Sequence, residues 1–300
     1  MDWLGRVEGI RRWSRGGERA PHKPLLLLLA LGRLQHDGDG PLRFTDIEAD
    51  LGHLLREFGP PRATSPGYPF HHLTNDGLWV VTTENGEGSP GPGLTDLRRS
   101  GAAGRLDPEF ARSLATDPHL LAQVVRVLLD ANFPPSLHAE ICAAAGLDLE
   151  AAELASTTAP LPARRARSAE FRRDVLLAYE YRCSFCGYDG LLRNTAVGID
   201  AAHVRWWAFD GPDTVANGLA LCSLHHKLFD KGVLGLDEQH RVTVSAHFIG
   251  RSPSARTIVL DLLGHPMLGP QPGFDPLDPT HVTWHRQQVF QLPARQEAGA

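Results

Sequence analysis

The sequence predicts a two-domain α+β protein. Three observations carry that expectation. Residues up to about 150 are dominated by apolar spacing of helical period, with one short strand. The stretch 151–168, AAELASTTAPLPARRARS, has no periodic apolar pattern and is rich in Ala, Pro, Ser, Thr and Arg, as linkers are. Beyond it, two short pairs of potential metal ligands bracket a pattern that reads as a hairpin followed by a helix. A chain of 300 residues also exceeds a usual single core. The expected division is 1–150, a linker at 151–168, and 169–300.

In the first half, a helix over 21–35 begins on a proline, where a missing N–H does no harm. A second spans 45–58, with Ile47, Leu51, Leu54, Leu55 and Phe58 on one face. A Pro/Gly-rich loop follows at 59–69, then a strand at 78–83 and a flexible Gly-rich segment at 84–93. Helices recur at about 108–115, 118–131 and 136–145. In the second half, an amphipathic helix over 169–181 leads to a knuckle at 183–187. The stretch from 197–204 on to Phe209 reads as a hairpin region, 223–231 as a helix and 242–248 as a strand. No repeat of period about 20–50 residues is visible.

Composition narrows the class without naming it. Hydrophobic residues at 42% and charged residues at 22% are ordinary for a soluble globular chain. The net charge of −5 gives no global sign of a polyanionic partner, so any such partner must meet a local patch. The opening MDWLGRVEGIRRW lacks a charged-then-apolar signal pattern. The longest apolar run, Leu25 to Leu31, falls far short of the ~20 residues that span a bilayer. A soluble, cytoplasmic protein with no membrane partner is expected.

In that setting the four cysteines point to metal rather than disulfides. Cys183-Ser-Phe-Cys186 can grip one ion from a tight turn, which Gly187 suits. Cys222-Ser-Leu-His225 repeats the spacing. Together they give Cys₃His, a closed tetrahedral set for structural Zn²⁺. The intervening 35 residues exceed finger spacing and leave room for a hairpin. Cys142 lies on a helical apolar face and is expected to be buried and inert.

Between and just after these knuckles stand Asp200-Ala-Ala-His203, Asn217 and His226-Lys-Leu-Phe-Asp230. His226 and Asp230 share a helix face at i, i+4. His225 is rotated from His226 by about 100°, so the two can serve different metals. These phrases, with Asn217-Gly-Leu-Ala-Leu-Cys222 and His225-His-Lys-Leu-Phe-Asp-Lys-Gly232, resemble the HNH endonuclease family with its ββα-metal fold, over roughly 171–290. The chain also resembles McrA-like modification-dependent restriction enzymes. The resemblance implies that His203 is the general base, Asn217 the central loop-fixing Asn, His226 the last metal-binding His and Asp230 a further ligand. It implies a catalytic divalent ion such as Mg²⁺ or Mn²⁺.

The chemistry agrees. Phosphodiester hydrolysis needs a base for water and a cation against the charge building on phosphate. A neutral imidazole suits the first role, and one His with one Asp leaves coordination positions for water and phosphate. One residue departs from the family. Many HNH sites carry a ligand just before the base, where this chain has Ala202. Asp200, on the same strand face, is read either as the replacement ligand or as a turn carboxylate. Trp206 and Trp207 are expected in the hairpin core. Arg164, Arg165, Arg167, Arg172 and Arg173 form a basic cluster, read either as a solvated face or as a phosphate-steering patch.

In the first half, Ala20-Pro-His-Lys-Pro-Leu-Leu-Leu-Leu and Gly67-Tyr-Pro-Phe-His-His-Leu resemble the sulfur-binding domain that precedes HNH domains in phosphorothioate-dependent type IV restriction enzymes, over roughly 5–150. That resemblance implies an apolar sulfur cup at Tyr68 and Pro69, with His72 at its edge. It implies backbone contacts from His22 and Lys23, and a family arginine at Arg98 or Arg99. The implied partner is double-stranded, phosphorothioate-modified DNA. Double-strand cutting with one nuclease centre per chain implies a homodimer or two successive nicks. Two rivals stay open: an HNH enzyme that reads methylated bases through a cage of Tyr68, Phe70 and Trp79, and a zinc-knuckle DNA-binding protein without catalysis.

Overall fold

The computed structural model describes residues 2–10, 18, 20–148 and 169–296. The linker expected at 151–168 and Arg164, Arg165 and Arg167 lie outside the described residues. The chain divides into two compact units, Met1–Arg164 and Arg165–Ala300.

The first unit is built around α2 (His22–Asp37), which follows α1 (Trp3–Glu8). From Leu25 to Leu31 every side chain of α2 is buried. A helix apolar on all sides must be surrounded, and α2 packs against α3 (Phe44–Phe58), α4 (Gly67–His72), α7 (Pro118–Asp130) and α8 (Pro135–Ala145). Each buried Leu stabilises this core by about 2 kcal/mol relative to exposure. Asp-Pro pairs start the later helices. Asp107 caps α6 (Pro108–Thr116) by accepting from the Glu109 and Phe110 N–H groups, and Asp117 caps α7 in the same way. In each, proline occupies the first turn, where its missing donor is harmless.

Beside the helices lies an antiparallel sheet of β1 (Leu42–Arg43), β2 (Trp79–Thr83), β3 (Gly86–Glu87) and β4 (Ala103–Leu106), in the order β1-β4-β2-β3. Trp79 pairs with Leu106, and the Trp79 ring lies over Gly104, where a Cβ would collide with it. Two expectations change here. The segment 84–93 supplies β3 rather than a featureless loop. The loop expected to run to Pro69 ends early, because α4 begins at Gly67 and takes Tyr68 and Pro69 into its first turn. The short helix α5 (Leu94–Arg99) completes the unit.

In the second unit, α9 (Ala169–Ala178) buries Phe171, Val175, Leu176 and Ala178. It stops short of the expected Tyr181, because Glu180 and Tyr181 adopt left-handed backbone (φ 50° and 57°) that turns the chain into the cysteine knuckle. A small hairpin of β5 (Leu191–Leu192) and β6 (Thr195–Ala196) precedes β7 (Ile199–His203). The partner of β7 is β8 (Gly218–Cys222), with His203 opposite Gly218 and Ile199 opposite Cys222. The stretch to Phe209 is therefore not a strand; residues between β7 and β8 form a loop with 3₁₀ turns at Trp207–Phe209 and Val215–Asn217. The helix α10 (Ser223–Asp230) leads into β9 (Leu234–Leu236), paired with β10 (Val242–Val244), a shorter strand than expected. The helix α11 (Pro253–Ile258) follows, and α12 (Pro279–Gln288) buries Val282, Trp284 and His285.

Candidate functional site

The candidate metal ligands come from three elements: the turn after α9, the end of β8 and the start of α10. The ligand atoms of Cys183, Cys186, Cys222 and His225 all lie within 4.8 Å of one another. His225 Nδ1 is 3.4 Å from Cys183 Sγ and 3.3 Å from Cys222 Sγ. A thiolate and an imidazole on one tetrahedral zinc stand about 3.5 Å apart, so the residues fit that ion. The carbonyl of Ile258 accepts from His225 Nε2–H at 2.8 Å, which leaves Nδ1 as the ligating nitrogen. Hydrogen bonds from Cys186 and Cys222 hold the Cys183 thiol far below its ordinary range. The same contact with Cys183, then Cys222, pushes the Cys186 thiol up. A dication bound among them would favour the thiolate form of all three.

The same ββα unit carries the predicted nuclease residues, His203 lying at the opposite end of the β7–β8 pair from Cys222. His203 ends β7 and is buried, with Nε2 2.7 Å from Asp213 Oδ1. Its ring stacks on Phe171 of α9, centroids 3.9 Å apart and planes 14° from parallel. Gly218 permits that approach: a Cβ there would run into Val175 and Phe171. Asn217 is fully buried. Its Oδ1 accepts from Arg205 N–H at 2.8 Å, and its Nδ2 donates to the Arg205 and Pro212 carbonyls, each at 3.0 Å. The amide thus ties both sides of the β7–β8 loop together.

On α10, His225 and His226 diverge as their rotation requires. His226 Nε2 lies 3.2 Å from Asp230 Oδ2, both side chains being buried. Two adjacent donors on one octahedral ion at about 2.1 Å stand about 3.0 Å apart, so this pair fits a shared hard divalent ion. Among the described residues no third His, Cys, Asp or Glu completes a metal-binding group with them.

Asp200 is not gathered with them. Its carboxylate faces Arg172 Nη2 at 3.8 Å and is about half exposed (48%), while Arg172 also donates to the Ile199 carbonyl at 3.0 Å. Of its two readings, this position favours that of a surface carboxylate over that of a replacement ligand. Arg173 is likewise occupied by Asp174 at 2.9 Å, so this part of the basic cluster serves local pairs. Trp206 is buried against Trp284, as expected, but Trp207 is exposed. Cys142 is buried.

In the first unit, four of the predicted positions converge. The Tyr68 ring lies 4.4 Å from the His72 ring and 6.1 Å, edge-on, from that of His22. Pro69, the next residue of α4, is buried. Gly67 lets the Gly-rich segment close in, since a Cβ there would strike the Pro92 carbonyl. Burial, then the charges of His71 and Lys23, hold the His72 imidazole below its ordinary range. His72 therefore stays neutral at neutral pH and offers Tyr68 an uncharged ring.

Lys23 and Arg98 each pair with a carboxylate within the first unit. Lys23 Nζ is 2.6 Å from Asp76 Oδ2, and that carboxylate is only 3% exposed. The lysine neutralises a buried acid and ties α2 to the turn after α4. Lys23→Ala is expected to destabilise the first unit by about 3 kcal/mol in urea denaturation, because it strips a buried charge of that partner. Wild-type stability in that variant would show that the pair with Asp76 contributes nothing to the fold. Arg98 is held by Glu48, with Nε–Oε2 at 2.8 Å. Arg99 makes no described contact with the Tyr68 cluster.

Residues 1–150 match the family described as ScoMcrA-like, DNA sulfur-binding domain. The chain belongs to this family. Residues 183–237 match the HNH endonuclease family, so the ScoMcrA-like segment is joined to an HNH domain. The sulfur-binding domain of ScoMcrA, solved with phosphorothioated DNA, is 21% identical over 51% of this chain and 98% of its own, with TM-score 0.42. The corresponding domain of SprMcrA is 26% identical over 48% of this chain and 93% of its own, with TM-score 0.41. ScoMcrA itself, described as a type IV phosphorothioation-dependent restriction endonuclease, is 20% identical over 49% of this chain but only 28% of its own length, with TM-score 0.39. No curated protein matches the chain. No described helix is long and apolar enough to cross a membrane.

Proposed function

We propose that this protein is a phosphorothioate-dependent DNA endonuclease: residues 1–150 read the modified backbone, 151–168 link, and 169–300 cut. The observation that carries the reading is the union, in one chain, of a ScoMcrA-like sulfur-binding segment with an HNH segment.

For the reader, Tyr68 and Pro69 form the floor of an apolar cup with neutral His72 and His22 at its rim. Replacing a phosphate oxygen by sulfur makes that atom larger, softer and less hydrated. An apolar cup accepts it at little desolvation cost, but strips water from a charged oxygen without replacing the lost hydrogen bonds. The methylated-base alternative loses ground, because Phe70 and Trp79 are core residues packed edge to face at 5.6 Å and cannot form a cage for a flipped base.

For the nuclease, His203 takes a proton from water as the water oxygen attacks phosphorus and a bridging oxygen leaves. His226 and Asp230 would hold the Mg²⁺- or Mn²⁺-class ion, which supplies charge neutralisation at the phosphate. Cys183, Cys186, Cys222 and His225 would hold structural Zn²⁺. Asn217 keeps the loop beside the base in shape.

The decisive experiment titrates the full chain with two duplexes identical but for one phosphorothioate. Raising salt should weaken both with similar slopes, since the ionic contacts are shared, and leave their ratio nearly constant. Tyr68→Ala should lower the ratio by weakening the sulfur complex. The ratio should also be flat from about pH 8 to about 6.5 and fall below, as His72 gains a charge that favours the hydrated oxygen anion. Equal wild-type affinities throughout would remove the sulfur reading and leave the HNH assignment with an unidentified reader.

A further inference from the structure

The β7–β8 loop carries a carboxylate that no sequence pattern marked. Asp213 Oδ1 lies 2.7 Å from His203 Nε2. A carboxylate can only accept, so Nε2 must carry the proton and the basic lone pair must sit on Nδ1. The contact is not a loose surface pair, because the His203 side chain is 7% exposed and that of Asp213 30%.

Two further contacts hold the arrangement. Phe171 clamps the imidazole plane from α9, outside the segment that matches the HNH family. Asn217 Nδ2 binds the carbonyl of Pro212, the residue immediately before Asp213, and so fixes where that carboxylate points. Among the described residues Asp213 joins no group of metal-ligand atoms.

We propose that Asp213 is the positioning residue of the nuclease centre: it fixes the His203 tautomer and ring orientation, and the central Asn217 acts by aiming it. The proposal rests on reading His203 as the base. Charged groups on the elements packed against β7 are Glu170, Arg172, Arg173 and Asp174 on α9, and His225, His226, Lys227 and Asp230 on α10. All are kept in the variants below.

The test compares wild type, Asp213→Ala, Asp213→Glu and His203→Ala, as full zinc-loaded chains, on a phosphorothioate-containing plasmid with Mn²⁺. Asp213→Ala should lower kcat by about 10- to 100-fold, with KM and the half-activating Mn²⁺ concentration within about twofold. Asp213→Glu should recover part of the loss. Without the anion that favours the imidazolium, the acid limb of the rate profile should move down by up to about one pH unit. Nitrogen NMR of wild type should show His203 protonated on Nε2, and that preference should weaken in Asp213→Ala.

Wild-type rates with an unmoved profile in Asp213→Ala, beside an inactive His203→Ala, would overturn this proposal alone. A raised Mn²⁺ requirement would make Asp213 a ligand and overturn it too. Full activity of His203→Ala, or no cleavage by wild type, would remove the nuclease reading and this proposal with it.

Discussion

His203→Ala should reduce cleavage about a thousandfold while duplex affinity and zinc content stay within about twofold of wild type. The base lies between Phe171 and Asp213, away from the cysteines, so truncation leaves the zinc knuckle intact. It also vacates a flat slot with an aromatic wall on one side and a carboxylate at its end. Added imidazole should enter that slot and restore part of the rate. Asn217→Ala should fail differently. It leaves the buried Arg205 N–H and the Arg205 and Pro212 carbonyls without their amide partner, so stability and activity should fall together, and imidazole should restore nothing. Full cutting by purified His203→Ala would end its assignment as base.

The cysteine–histidine knuckle was legible because metal chemistry constrains residue type and spacing together. Cys-x-x-Cys and Cys-x-x-His admit few uses, and the ligands do converge. The divergence of His225 and His226 followed from helix rotation alone. Most helices were legible for the same kind of reason: Asp-Pro starts and apolar stripes are local signals.

Asp213 and Phe171 were not legible, since neither has a pattern of its own. Asp213 sits in Asp-Gly-Pro-Asp, which reads as a turn, and reaches His203 only because a loop pinned by Asn217 curls back over the strand. Phe171 keeps the helical core period, and nothing in one helix says which ring its neighbour will present. Asp200 was only half legible, for the converse reason. Strand alternation placed it correctly relative to Ala202, but could not show Arg172 reaching it from α9. Lys23 shows the same limit, because Asp76 lies 53 residues away and the pair forms only when α2 and α4 meet. Charge partners at long sequence range decide whether a basic residue is structural or free for a ligand, and single-sequence spacing does not contain them.

Cys183→Ser should release zinc and unfold much of the second unit, while binding to a phosphorothioate duplex survives in the first. Structural zinc contributes on the order of 10 kcal/mol to small metal-bound folds, more than a unit of this size keeps in reserve. The geometry says what is lost. Cys222 ends β8, the strand whose other end faces His203, and His225 begins α10, the helix that carries His226 and Asp230. Freed of zinc, β8 and α10 lose the crosslink to the α9 turn, so base and ion ligands separate although no zinc ligand approaches the phosphate. Stripping zinc from wild type with a chelator should therefore abolish cleavage even with Mn²⁺ in excess, and restoring Zn²⁺ should return it. Elemental analysis should find one zinc per wild-type chain and none in Cys183→Ser. A zinc-free wild type that remains folded and active would show that the four side chains hold the knuckle by their own packing and hydrogen bonds, and the metal assignment would fall.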